Sequence, residues 1–376
     1  YPARKSADVL YVSAHAGALH GASRDFMGVH SLNRFAHGGD IYSRHIEHDF
    51  SANINPLGLP DEVLLEISDS LWRCGNYPDP SCRELIRAIS DSEWFPSGRI
   101  VCGNGAADLI YRIVLAFKPR RALVCAPTFS EYEKALTEYG CAIRQHFLSQ
   151  ENDFRLTCNI LSDITSDIDI LFLCNPNNPT GHTIPPELME RISAKCRETG
   201  TFLVVDECFL DFVEGGRERS ARQFLSDNSA ILKAFTKIYA MPGIRLGYAL
   251  FGSSEAAQKA ASTGQAWSVS TPAQAAGIAA LRLDGYVEKT VEVVSTEREF
   301  MQNGLRSLGL EYVPSEANFI LFRCGLPLDE LLSQRGIALR NCENYDGLEP
   351  GWFRTAVRLR EENALLLDAL REVLNG

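Results

Sequence analysis

Lys237 stands in Ala230–Tyr248, AILKAFTKIYAMPGIRLGY, after a strand-like run and a threonine, and before a Pro242-Gly243 turn that leads to Arg245. A lysine at the C-terminal edge of a sheet loses part of its hydration, which lowers the ammonium pKa and frees the amine as a Schiff-base nucleophile. Asp206 ends the four apolar residues that open Phe202–Phe212, FLVVDECFLDF. A carboxylate at the end of a buried strand needs a partner, because burying it alone is costly. Two partners are open: the start of the next helix, which it would cap, or a protonated pyridine nitrogen, whose ring would then serve as an electron sink.

Leu171–Gly181 reads LFLCNPNNPTG. Two Asn-Pro steps and a closing glycine stiffen the turn, so Asn178 can aim its amide at a ligand from fixed backbone. Val101–Asp108, VCGNGAAD, is a Gly-rich turn between strand and helix. It is either a plain turn or a helix N-terminus that offers N–H groups to a phosphate. His45-Ile46-Glu47-His48-Asp49 has metal-binding residue types but lacks the H-E-x-x-H spacing that sets two histidines on one helix face, and no metal is expected. Cys208 has no cation or base close in sequence to stabilise a thiolate and reads as packing. Trp267, Trp352 and Phe353 read as core or domain-interface aromatics, and the pairs Asp329-Glu330 and Glu361-Glu362 as solvated helix faces or starts.

The elements that must position these side chains show as short apolar runs separated by amphipathic stretches. Strands are expected at Arg99–Cys102, Ala122–Ala126, Ala142–Leu148, Ile168–Cys174, Phe202–Val205, Ala230–Ala234 and Ile244–Phe251. Strands alternating with helices predict an α/β fold, a mostly parallel seven-stranded sheet with helices on both faces. Ligands of such sheets sit at the loops beyond the strand C-termini. Thr271 to Leu308 reads as one long helix or a helix pair. Runs at Leu310–Val313, Asn318–Arg323, Ile337–Arg340 and Phe353–Leu359, with a leucine-rich helix over Glu361–Leu374, predict a smaller α+β C-terminal domain.

A chain of 376 residues suits two domains. With 45% hydrophobic and 23% charged residues it is globular rather than disordered. A net charge of −11 disfavours nucleic acid and anionic membranes, and no apolar run approaches the ~18 residues of a membrane span. Eleven scattered cysteines without a C-x-x-C read as small apolar residues of a reducing compartment, so a cytoplasmic protein is expected. Residues 1–36 are expected to be an extension or tag, 37–75 an arm packing on the small domain, 76–265 the large domain, and 266–376 the linker helix and small domain.

NPNNPTG, the VDE strand end, and TK followed by GIRLGY, in this order, resemble the fold type I aminotransferase superfamily that depends on pyridoxal 5'-phosphate. Within it the chain is similar to the histidinol-phosphate aminotransferase branch and, more narrowly, to the L-threonine O-phosphate decarboxylases of cobamide biosynthesis. The narrower match rests on His37-Gly38-Gly39, Asp49–Gly58 (DFSANINPLG), Asn76-Tyr77-Pro78, Asp206–Phe209 (DECF) and Arg340–Leu348 (RNCENYDGL). The resemblance implies that Lys237 carries the cofactor and acts as acid and base, with Asp206 at the pyridine nitrogen, Asn178 at O3′ and Phe129 stacked on the ring. It implies Gly105, Ala106, Thr236 and Arg245 at the cofactor phosphate. Tyr77 would reach the phosphate of a neighbouring copy, which makes a homodimer. Arg354 would take the substrate's α-carboxylate, Asn178 would also contact substrate, and His37 and Arg340 would take its phosphate.

Three departures stand out. Phe209 replaces the Tyr usual in aminotransferases of the branch, Ala234 a phosphate-binding hydroxyl, and Ala107 an acidic residue. The expected activity is decarboxylation of threonine phosphate or serine phosphate to an amino-alcohol phosphate. One methyl group separates the two substrates, worth only ~1–3 kcal/mol in a pocket. The alternatives are a histidinol-phosphate aminotransferase and, more remotely, a regulatory module that binds the same cofactor.

Overall fold

The computed structural model describes residues 37–376, and the expected extension over 1–36 lies outside the described residues. The chain runs through β1 (His48–Asp49), α1 (Asp61–Ser70) and α2 (Arg83–Glu93) before the large sheet begins. That sheet has seven strands: β2 (Ile100–Gly103), β3 (Arg121–Ala126), β4 (Ala142–Phe147), β5 (Ile170–Cys174), β6 (Phe202–Asp206), β7 (Ser229–Ala234) and β8 (Gly247–Phe251). Their order is β2-β8-β7-β6-β5-β3-β4, and β8 alone in the sheet runs against its neighbours. Between the strands lie α3 (Gly105–Phe117), α4 (Glu131–Glu138), α5 (Pro186–Thr199) and α6 (Phe235–Ile238), and α7 (Ser254–Ala261) follows the last.

The central strands, ILFLC and FLVVD, are buried at every position, as strands covered on both faces must be. Alternate residues divide between two apolar layers. Leu171, Leu173, Leu203 and Val205 pack with Leu188, Met189 and Ile192 of α5, while Ile170, Phe172 and Val204 pack with Leu109, Ile110 and Ile113 of α3. Helices therefore cover both faces, as the alternation of patterns predicts.

After β8 the stretch over 271–308 is a helix pair, α8 (Thr271–Ala280) and α9 (Tyr286–Ser307), separated at Gly285, whose φ is +70°. Beyond it come β9 (Glu311–Tyr312), β10 (Phe319–Arg323), α10 (Leu328–Ser333), β11 (Ile337–Ala338), β12 (Arg340–Asn341), β13 (Trp352–Ala356) and α11 (Arg360–Asn375). Four of these strands form an antiparallel sheet in the order β12-β13-β10-β9, and β11 pairs in parallel with β1. This second sheet has its own core around Met301, Phe322, Leu328 and Leu366. Phe50, just after β1, belongs to that core, whereas Val63 of α1 joins the large-sheet core and α1 packs on α8. The segment over 37–75 is thus shared between the two sheets. Cys74 and Cys158 are exposed, the other nine cysteines are buried, and none forms a disulfide. No helix among the described residues is long and apolar enough to cross a membrane.

Candidate active site

Of the residues expected to bind cofactor or substrate, all but Gly105 and Tyr77 line one cavity of about 370 Å³. Cys174, Asp206 and Ala234, the last residues of β5, β6 and β7, form its floor, so it lies beyond the strand C-termini. His37, Ser51 and Asn53 from the N-terminal segment and Arg340 and Arg354 from the second sheet close it.

Asp206 is buried with both oxygens engaged. Oδ1 accepts the Cys208 N–H at 3.0 Å and Oδ2 the Tyr132 hydroxyl at 2.6 Å. Burial pushes its carboxyl up, and the Cys208 and Tyr132 hydrogen bonds and the Lys237 charge offset only part of that. Burial, then the nearby Asp206 charge, pushes the Tyr132 phenol well above its ordinary range, so it stays a donor. The same two causes raise the Cys208 thiol and leave it neutral. Lys237 sits in α6, one turn of helix that starts as β7 ends. Burial lowers its amine to about 8, helped by the charges of Arg354 and Arg245. The amine lies 5.9 Å from the centre of the Phe209 ring.

The far end of the floor is built for an anion. Gly105 opens α3 with φ +82°, and a Cβ there would lie 2.7 Å from Arg245 Nη2. Gly247 allows an equally close approach, since its Cβ would lie 2.7 Å from the Ala106 backbone nitrogen. The first N–H groups of α3 therefore stand against β8 and beside a guanidinium, the combination that binds phosphate. Thr236 adds a hydroxyl, and Ala234 adds none.

Strand register places Arg340 directly opposite Arg354 on β12 and β13. Arg354 donates from Nη1 to Asn178 Oδ1 at 2.5 Å and from Nη2 to the Ser51 carbonyl at 2.7 Å, while its buried Nε has no partner. Arg340 donates to Asn344 Oδ1 at 2.7 Å and lies over the Tyr345 ring. Both arginines line the cavity, so an anion bound there meets two permanent positive charges. His37 Nε2 meets Glu131 Oε1 at 2.6 Å, and its ring tilts against Phe129. Burial would raise the Glu131 carboxyl, but His37 and Lys134 outweigh it and hold it low. Asn53 lines the cavity with a buried Oδ1 that has no partner.

Sequence reasoning missed Tyr132, Glu131, Ser51, Asn53 and Tyr345. Asn53 and Tyr345 sit inside the ANINPLG and NCENYDGL runs already singled out, but nothing in residue type marks Tyr132 as the partner of an aspartate 74 positions away. One reading needs restating. Trp267, expected in the core or at a domain interface, is half exposed because Tyr77 covers only one face of it, the rings being 4.6 Å apart. Tyr77 is itself 79% exposed and lies outside the cavity of its own chain. His45 pairs with Glu47 on the surface, and no group of three or more metal-ligating side chains converges among the described residues.

The residues present fit pyridoxal phosphate. A buried carboxylate faces the cavity, a depressed lysine amine stands beside it, and the glycine cradle of α3 meets Arg245 where a phosphate would go.

Residues 47–370 match the family described as aminotransferase class I and II. The chain is 37% identical over 334 residues to a threonine-phosphate decarboxylase of Salmonella typhimurium, covering 87% of this chain and 91% of that protein. It is 28% identical to a histidinol-phosphate aminotransferase of Methanococcus maripaludis, covering 86% and 89%. Among solved structures it is similar to the histidinol-phosphate aminotransferase of Clostridium acetobutylicum, with a TM-score of 0.82 and 29% identity over 87% of this chain and 99% of that one.

Proposed function

Because the chain belongs to the class I and II aminotransferase family, which uses pyridoxal 5'-phosphate, we propose that it decarboxylates an O-phosphorylated amino acid, threonine phosphate first and serine phosphate second. The observation that carries this reading is the Arg340–Arg354 register pair facing the cavity, two cations for a substrate with two anionic groups. Similarity to a threonine-phosphate decarboxylase supports it.

Lys237 would hold the cofactor, and the Asp206 carboxylate would accept from its protonated ring nitrogen. Phe129 would cover the ring, Asn178 would meet O3′, and Arg245, Thr236, Gly105 and Ala106 would hold its phosphate. When bound, the cofactor supplies an electron-accepting ring for the pair left at Cα. Arg354 and Asn178 hold the substrate carboxylate, and Arg340 and His37 hold its phosphate. Anchoring at both ends would fix which Cα substituent is presented for cleavage, the carboxylate rather than the hydrogen. The Cα–carboxylate bond then breaks, carbon dioxide leaves, and a proton from Lys237 or a water takes its place on Cα. The product is an amino-alcohol phosphate. Phe209 has no hydroxyl to offer, which leaves Asn178 as the protein's side-chain partner for O3′.

A second copy of the chain completes the site. Leu64, Leu65, Leu71, Trp72 and Tyr77 leave one stretch of chain with five exposed large apolar side chains, which favours a homodimer in which Tyr77 of each copy reaches the other's cofactor phosphate.

Incubation with threonine phosphate tests the activity. Carbon dioxide and an amino-alcohol phosphate released without 2-oxoglutarate are expected. Amino transfer to 2-oxoglutarate with no gas would instead identify a histidinol-phosphate-type aminotransferase.

A further inference from the structure

Asn55 lies in Ala52–Gly58, ANINPLG, yet it does not line the cavity. It is 1% exposed, and both ends of its side-chain amide are hydrogen-bonded. Oδ1 accepts the Leu57 N–H at 3.0 Å. Nδ2 donates to the Ile238 carbonyl at 2.6 Å and to Thr290 Oγ1 at 2.8 Å, with the Tyr286 hydroxyl sharing a proton at 3.2 Å. The backbone N–H of Asn55 donates to the carbonyl of Lys237 at 3.2 Å. These partners fix the amide's orientation, since Leu57 needs an acceptor and Ile238 a donor.

The two carbonyls so held are the last two of α6. A four-residue helix cannot sustain itself, and its final carbonyls have no partners within it. Asn55 supplies a donor to each, its Nδ2 to Ile238 and its N–H to Lys237, whose carbonyl the Ala240 N–H also meets at 3.2 Å. On its other side Thr290 Oγ1 donates to the Tyr286 carbonyl and the Tyr286 hydroxyl to the Gly58 carbonyl, each at 2.8 Å. The turn over 55–58 is thereby tied to the first turn of α9, whose far end, through Met301 and Leu305, enters the core of the second sheet.

We infer that Asn55 is a positioning residue for Lys237: it caps the one-turn helix that carries the lysine, binds that helix to α9, and so fixes where the amine stands and keeps it withdrawn from water. The inference rests on Lys237 being the cofactor-binding lysine and is independent of which substrate is turned over.

The test follows capture of pyridoxal phosphate by apoprotein prepared from the holoenzyme, read from the visible band as a function of pH. Only the free amine reacts, so wild type should reach its half-maximal rate near the amine's pKa of about 8. In Asn55→Ala the end of α6 is released toward water, and the half-maximal point moves up by about one pH unit. In the reloaded holoenzyme kcat falls about tenfold, with KM changed less than about twofold. Thr290→Val removes one bond to α9 but keeps the bond to Ile238, so it shifts the profile less in the same direction; it replaces Asn55→Ala should that variant not fold. A merely structural role would lower the melting temperature and leave the capture profile and kcat alone, and that result in the folded variant overturns the inference. Capture that survives Lys237→Ala unchanged, or none in wild type, overturns the cofactor reading and this inference with it.

Discussion

Lys237 stores a cost that can be measured without substrate. Its ammonium titrates near 10.5 when unfolded and near 8 in the folded chain. Between those values the unfolded state binds more protons, so stability rises with pH there. The penalty is complete below pH 8 and gone above pH 10.5, and it is worth on the order of 3 kcal/mol. Apoprotein Lys237→Met is therefore expected to be more stable than wild type at pH 7, by up to about 3 kcal/mol, with the gap closing as pH approaches 10.5. Urea unfolding at both ends of that range checks it, and a variant no more stable at pH 7 would show that the amine is not desolvated. Tyr132 makes a second prediction. Its hydroxyl donates to Asp206 and stabilises it as the carboxylate, so on the proposed reading Tyr132→Phe would weaken the hold of Asp206 on a protonated cofactor nitrogen. The aromatic stack on Phe172 survives that change. Turnover should fall about tenfold with little change in KM, and the pH titration of the cofactor's visible band should move with it; a fall in melting temperature alone would make Tyr132 a packing residue.

At the scale of elements, what reads from sequence is what repeats. FLVVD and ILFLC announce buried strands, and all seven strands of the large sheet fall within two or three residues of their apolar runs. The reach of α4 over the floor, which brings Glu131 to His37 and Tyr132 to Asp206, depends on how the Pro127–Ser130 turn leaves β3, and no local pattern encodes that angle. The pairing of Arg340 with Arg354 was equally hidden, since register between β12 and β13 is set by packing on the second core rather than by spacing. The glycines were legible as a turn but not as a contact. Gly105 lets the start of α3 approach Arg245, and Gly105→Ala adds both a Cβ at 2.7 Å from that guanidinium and strain at φ +82°. Arg245 must withdraw, so cofactor affinity, measured by equilibrium dialysis of the apoprotein, should drop at least about tenfold. Unchanged affinity would place the phosphate elsewhere.

For the whole molecule, a net charge of −11 repels the phosphates it is proposed to bind, and the cavity reverses that field locally by converging Lys237, Arg245, Arg340 and Arg354. Tyr77 adds to the argument for a second copy, because its ring, stacked on Trp267 and 79% exposed, lies outside the cavity of its own chain. An exposed large aromatic a few residues from exposed Leu71 and Trp72 is poorly placed in water and well placed against a partner. Two substitutions separate the roles. Trp72→Glu puts a charge into the proposed contact, and sedimentation should show the dimer giving way to monomer, with cofactor lost in parallel. Tyr77→Phe keeps the stack and the apolar surface, so the dimer should persist while cofactor affinity falls about threefold to tenfold through loss of one hydroxyl on the phosphate. A monomeric wild type that retains cofactor would refute the shared site. A dimer whose cofactor affinity ignores Tyr77→Phe would keep the interface but confine each phosphate to the residues of one chain.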